Sequence, residues 1–253
     1  MCVPRDSEPP IATIAGAAVS HERLELEASD GNRLAAFAAL PAYPPGAGVV
    51  VLPDVRGLFH FYEELALRLA ECGIAAVAID YFGRTAGVAR RDDDFPFMDH
   101  VVQTTAEGVQ ADVDAGVRHL RSPRACGCRY VFTVGFCFGG RNSWLAATGG
   151  HGLAGAIGFY GNPATRDGRP GPTDMAAEIE APILALQAGD DQNITVAHNT
   201  AFAEALSAAG VEHDLVTYEG APHSFFDRRF EEFVDASDDA WRRVLGFIER
   251  HSG

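Results

Sequence analysis

The stretch that decides the fold is Tyr130-Val131-Phe132-Thr133-Val134-Gly135-Phe136-Cys137-Phe138-Gly139-Gly140-Arg141. A short β-rich run, Tyr130 to Val134, leads at once into Gly-x-Cys-x-Gly, and a helical pattern follows from Arg141 to Ala147. A turn of this kind holds the central residue in a strained backbone and brings the chain close to itself. Small residues are therefore needed two positions before and two after it, which are Gly135 and Gly139. The geometry exposes the Cys137 thiol beside a helix N-terminus, whose partial positive charge favours a thiolate. It also aims the Phe138 N–H at the place where a tetrahedral oxyanion would form. A free cysteine is more often a small buried core residue, but the glycine spacing and the strand-turn-helix setting favour a nucleophile here.

Outward from this turn the chain alternates. On the N-terminal side, Leu24 to Ala28 and Arg33 to Leu40 flank the turn cluster Ser29-Asp30-Gly31-Asn32 and read as an antiparallel hairpin. The apolar run Gly48 to Leu52, a helical pattern from Tyr62 to Glu71 and a second run, Ile74 to Ile79, make a βαβ unit. A long helix is expected from Met98 to Leu120. On the C-terminal side, strands are expected at Ala154 to Phe159, Ile183 to Gln187 and His213 to Tyr218. Helices are expected at Val196 to Ala209 and Phe233 to Arg250. Alternation throughout predicts an α/β fold: one doubly wound, mostly parallel central sheet with helices on both faces, in a single domain over residues 22–253. Residues 1–21, rich in Pro and Ala, are expected to be a loosely ordered arm. Two segments stand outside the rhythm, Tyr81 to Phe97 and Gly161 to Glu180, as binding loops or surface excursions do.

A nucleophile needs a base, and the base needs an orienting group. In the strand-turn-helix arrangement these follow in the order nucleophile, acid, histidine. Asp190 and Asp191 come just after the strand ending at Gln187, and His223 lies in Ala221-Pro222-His223-Ser224-Phe225, in the loop after the last strand. Carboxyl ends of parallel strands lie on one edge of a sheet, so these distant residues can converge there. Of the nine histidines only His223 has both the position and the order, and Asp191 is preferred to Asp190 as its partner. The second oxyanion donor is expected in the loop Pro53-Asp54-Val55-Arg56-Gly57, with the Val55 N–H as candidate.

Composition narrows the function. A chain of 253 residues with 47% hydrophobic and 22% charged side chains suits a globular core. A net charge of −15 disfavours nucleic acid and anionic membranes as partners. Every one of the 20 basic residues is Arg, which excludes Schiff-base and general-base lysine chemistry. Five cysteines, Cys2, Cys72, Cys126, Cys128 and Cys137, lack the spacing of a disulfide framework. With no basic-then-apolar leader and no membrane-length apolar run, the expectation is a cytoplasmic protein. Neither Cys126-Gly127-Cys128 nor Asp92-Asp93-Asp94 has the ligand pattern of a metal site, so no metal is expected.

The elbow Gly135 to Gly140, Gly189-Asp190-Asp191, Ala221 to Phe225, Asp54 to Gly57 and Asp80-Tyr81 together resemble the dienelactone hydrolase family, the carboxymethylenebutenolidases, of the α/β-hydrolase superfamily. The resemblance runs from about Leu24 to Ile248. It implies an α/β-hydrolase fold and opening of an enol-lactone or small ester through an acyl-enzyme on cysteine, with no cofactor. By that analogy Cys137 attacks, His223 shuttles the proton, Asp191 orients the imidazole, and the N–H groups of Val55 and Phe138 hold the oxyanion. The family carries a glutamate in the early loop that pairs with the resting thiol, where this chain has Asp54. It also binds the substrate carboxylate with arginines, one of them shortly after the histidine, where this chain has Asp227 followed by Arg228 and Arg229. Arg56, Arg90 and Arg91 are the substitute candidates, with Ser224 and Phe225 beside the site; Phe95, Phe97 and Phe225 could line an apolar pocket. A general carboxylesterase or thioesterase with the same three residues, and a non-catalytic hydrolase-like binding protein, are the competing readings. Either a monomer or a homodimer is compatible with the sequence.

Overall fold

The computed structural model describes residues 7–17, 19–91, 94–125 and 127–253. The chain folds as two compact units, residues 1–131 and 132–253. The eight strands follow the order β1-β2-β4-β3-β5-β6-β7-β8 in one sheet.

In the first unit, β1 (Val19–Glu27) and β2 (Arg33–Pro41) pair antiparallel from Val19↔Pro41 to Glu27↔Arg33. Gly31, at φ +81°, supplies the left-handed residue of their turn. Strand β1 starts inside the span expected as an arm, and before it the Ile14 N–H donates to Glu71 at 3.0 Å. Strands β3 (Ala47–Leu52) and β4 (Ala75–Ile79) are parallel and buried along their whole length. That burial is why they read as continuous Val, Ile and Ala runs and not as alternating ones. Helix α1 (His60–Glu71) joins them and packs on β2 and β4.

The long helix expected over Met98 to Leu120 is two helices. After the single turn α2 (Gly83–Ala86) come α3 (Phe97–Val101) and α4 (Ala106–Arg121). Side chains divert the backbone between them: the Gln103 amide donates to the Asp99 carbonyl, the Thr104 hydroxyl donates to the Val101 carbonyl, and Thr105 caps α4 by accepting from the Gly108 N–H. Three successive polar side chains thus compete with the helical ladder, and a new N-cap wins.

Helix α4 carries a fully buried carboxylate, Asp112, which accepts from Arg84 at 2.6 Å and from Asn32 at 3.0 Å; Arg84 also reaches Asp30 at 2.7 Å. Burial pushes the Asp112 pKa up to about 6, against the opposing pull of Arg84. An acid whose folded pKa exceeds its unfolded value stabilises most below that unfolded value, and loses the contribution as pH climbs through the folded pKa. Arg84→Ala, which strands this carboxylate, is expected to cost about 3 kcal/mol near pH 8 and clearly less at pH 5. Urea unfolding at the two pH values measures the difference, and an equal deficit at both would show that Asp112 does not carry it.

In the second unit, β5 (Tyr130–Phe136, entering from the first), β6 (Gly155–Phe159), β7 (Ile183–Asp190) and β8 (His213–Pro222) are parallel neighbours. Helix α5 (Phe138–Ala146) packs on β6, α6 (Val196–Ala209) on β8 and α7 (Val234–Arg250) on β7. Trp144 of α5 is fully buried, donates its indole N–H to the Leu184 carbonyl at 3.2 Å and lies 5.0 Å from Phe202. It presses so close to β6 that a Cβ on Gly158 would sit 2.5 Å from its ring. The helix that follows Cys137 is therefore seated firmly on the sheet.

Cys2, Asp92, Asp93 and Cys126 lie outside the described residues. Among those described, no group of three His, Cys, Asp or Glu side chains is placed to hold a metal, and no helix is long and apolar enough to cross a membrane.

Candidate active site

Strand β5 ends at Phe136 and α5 starts at Phe138, so Cys137 alone makes the turn, at φ +55° and ψ −111°. Its N–H donates to the Phe159 carbonyl at 3.0 Å, and its own carbonyl accepts from Arg141 at 3.2 Å in the first turn of α5. The glycines around it are demanded by contact. A Cβ on Gly135 would lie 2.0 Å from the Gly139 carbonyl oxygen, and one on Gly140 would lie 2.6 Å from that of Phe159. The thiol is partly exposed. Phe138, the first helical residue, has an N–H outside the intrahelical ladder, as the opening residues of any helix do.

Strand β7 runs on past Gln187 to Asp190, and the next residue, Asp191, turns its side chain inward until it is fully buried. One carboxylate oxygen accepts from the Asn193 and Ile194 N–H groups at 2.8 and 3.2 Å; the other lies 2.5 Å from His223 Nδ1. Burial favours the neutral acid, yet these bonds and the imidazolium charge outweigh it and hold the Asp191 pKa below the usual carboxylate value. Asp190 stays exposed, with Gln192 at 3.4 Å.

His223 follows directly on β8 with its side chain 31% exposed. Burial opposes its charged form, but the Asp191 hydrogen bond, then a hydrogen bond and charge interaction with Cys137, push its pKa up to about 10. The structure thus hydrogen-bonds His223 to Asp191, with Cys137 close enough to help raise the His223 pKa. Backbone strain gathers in the same place. Of the four non-glycine residues with positive φ among those described, Cys137, Tyr160 and Ser224 are at this site.

Ser224 and Phe225 are both buried; Phe225 packs edge-on against Tyr160 at 5.6 Å and tilts over Tyr218 at 5.0 Å.

The remaining sequence candidates belong to the first unit. Asp54 is buried and grips Arg56 at 2.6 Å, while Arg56 lies 4.1 Å over the Phe59 ring. The Asp54 carbonyl accepts from the Gly57 N–H at 3.1 Å and its carboxylate from the Arg56 N–H at 2.8 Å, a tight turn with Val55 at its first corner. Neither bond uses the Val55 N–H. Arg91 is buried against Asp80 at 2.5 Å and stacks 4.8 Å over Phe95; Arg90 is largely exposed, 3.7 Å from Glu63. Both arginines line a cleft of about 610 Å³ that also includes Arg23, Leu58 and Glu63.

Two side chains at the Cys137 site escaped the sequence reading. Tyr160, at φ +38°, follows directly on β6 and lies with its ring 5.0 Å from that of His223. Its place just past the carboxyl end of a strand is the signal that could have found it. Arg141 reaches into the loop after β6, and no sequence pattern marks it.

The model of the dienelactone hydrolase family matches residues 34–252. A Methylorubrum extorquens protein assigned as a carboxymethylenebutenolidase is 28% identical over 95% of this chain and 84% of its own length. A Yersinia pestis protein with the same assignment is 27% identical over 88% and 86%. A Klebsiella pneumoniae crystal structure assigned as a dienelactone hydrolase superposes with a TM-score of 0.80 at 25% identity, covering 92% of this chain and 99% of that one. With an imidazole and a carboxylate hydrogen-bonded at the strand ends, and a family match over nearly its whole length, the chain belongs to the dienelactone hydrolase family and is a hydrolase of the ester and lactone type.

Proposed function

We propose that Cys137, His223 and Asp191 form a nucleophile-base-acid triad that hydrolyses a small ester or enol-lactone through a thioester acyl-enzyme. The observation that carries the reading is the 2.5 Å contact between His223 Nδ1 and Asp191, beside a Cys137 that makes the whole strand-to-helix turn at positive φ.

In the resting site the high pKa of His223 keeps the proton on the imidazole. Cys137 Sγ attacks the carbonyl carbon, and the N–H of Phe138 receives the oxyanion. Collapse breaks the C–O bond, and the departing alkoxide or enolate takes its proton from His223. Acylation also occupies Cys137 Sγ and removes the Cys137 part of what raised the His223 pKa. The imidazole can then act as base toward the water that attacks the thioester. Release of the acid restores the starting pair.

The arginines favour a second reading of the substrate. Arg56, Arg90 and Arg91 each face a carboxylate of their own, Asp54, Glu63 and Asp80. This supports a general carboxylesterase acting on neutral esters as the alternative to a carboxylate-bearing lactone, and a panel of both substrate types separates them. The primary test is time-resolved intact-mass spectrometry after mixing with a small activated ester. A transient acyl adduct in the wild type that is missing in Cys137→Ala is the expected result. Undiminished turnover in Cys137→Ala would overturn the reading.

A further inference from the structure

The triad chemistry makes no use of the Arg141 side chain, yet the structure commits it fully. From the first turn of α5 its guanidinium enters the loop that leaves β6 and donates to four backbone carbonyls: Asn162 at 2.9 Å, Ala164, Arg169 at 3.4 Å and Pro170 at 2.8 Å. No carboxylate forms an ion pair with it among the described residues. A cation in the first turn of a helix opposes the helix dipole. Burial, together with the nearby Arg166 charge, holds its pKa below the usual arginine value. A long side chain could avoid these costs by extending into water.

The segment it gathers begins beside the imidazole. Tyr160, whose ring lies 5.0 Å from that of His223, keeps a positive φ, and its N–H donates to the Leu186 carbonyl at 2.8 Å. Gly161 passes so close to α5 that a Cβ there would sit 2.6 Å from the Arg141 nitrogen, and its carbonyl accepts from Gln187 at 3.0 Å. Beyond it the loop is closed on itself: Arg166 and Arg169 bridge across Asp167 and Gly168, and Asp174 accepts from Thr165 and from the Gly171 N–H. Strand β7 thus holds one side of the Tyr160 segment, and Arg141, four residues from the thiol, holds the other.

We propose that Arg141 is a positioning residue, which through the Asn162 to Pro170 carbonyls fixes the Tyr160 segment, and through Tyr160 the His223 imidazole, relative to Cys137. The inference rests on the triad reading, so its test includes a measurement independent of ester turnover. The pH dependence of Cys137 alkylation by iodoacetamide, followed at the peptide that holds it, reports the thiol-imidazole pair directly. In Arg141→Ala the midpoint of that profile is expected to move by about one unit. On a small activated ester kcat is expected to fall on the order of tenfold to a hundredfold, with KM little changed, as ångström-scale misplacement does. Guanidinium ion, far below denaturing concentration, is expected to refill the ring of carbonyls and restore both. Arg141→Lys keeps the charge without the planar fork and is expected to remain shifted.

A lowered Tm with a wild-type alkylation profile in Arg141→Ala would reduce Arg141 to a structural role and overturn the proposal. Should that variant fail to fold, a wild-type profile in Arg141→Lys would do the same. A wild type that turns over no ester, with the profile still shifted in the variants, would instead reject the hydrolytic reading and leave the positioning role standing.

Discussion

His223→Ala is expected to lower kcat by on the order of 10⁴-fold or more, because on the proposed mechanism it removes the base for deacylation and the acid for the leaving group in one change. The residual rate would come from the oxyanion donors and from binding alone. On the proposed mechanism the variant should also lose alkylation of Cys137 near neutral pH, since the imidazole beside the thiol is gone. Steady-state turnover of an activated ester and peptide-level alkylation measure the two effects. A variant that loses turnover but alkylates as the wild type does would mean that His223 serves the leaving group without activating the thiol.

Asp191→Asn is the second large effect, and its cause differs. The buried carboxylate accepts from the Asn193 and Ile194 N–H groups and faces His223 Nδ1. An asparagine at 191 keeps an oxygen for the two backbone N–H groups and turns its NH₂ toward the imidazole. Nδ1 must then accept, and the ring proton is driven to the nitrogen facing Cys137, the wrong tautomer for a base. A fall in kcat of about 10⁴-fold is expected with the fold retained. The His223 pKa, now about 10, should drop toward its ordinary value. For a histidine whose folded pKa is raised, the stabilising contribution is complete below the unfolded pKa of about 6.5 and is lost as pH rises through the folded one. The stability deficit of Asp191→Asn should therefore be larger at pH 6 than near pH 10. Chemical denaturation at both values, with kcat at each, checks this; an equal deficit would remove the Asp191–His223 charge pair as the cause.

Some of this was written plainly in the chain. The buried strands β3, β4 and β5 announce themselves as short continuous apolar runs, and the turn at Cys137 is marked by glycines whose added Cβ atoms would strike backbone. The break between α3 and α4 was also legible, since Thr104 and Thr105 are cap-forming residues; apolar periodicity continuing across the gap masks that signal. The arginines were a different matter. Arg91 finds Asp80 eleven residues away, and Arg141 finds carbonyls more than twenty residues on, by routes that no local pattern encodes.

The sequence by itself determined the alternation of strands and helices, the strained turn at Cys137 and the order Cys137, Asp191, His223 along the strand ends. These follow from side-chain periodicity and backbone sterics over a few neighbouring residues. Only the tertiary structure decided that Asp191 and not Asp190 faces His223, that Phe225 packs on Tyr160 and Tyr218, that Tyr160 lies against His223, and that Arg141 reaches the loop after β6. Each of those outcomes depends on which way a side chain points where a strand ends. Past the last paired residue the strand's two-residue alternation no longer sets that direction, and packing between segments distant in sequence does.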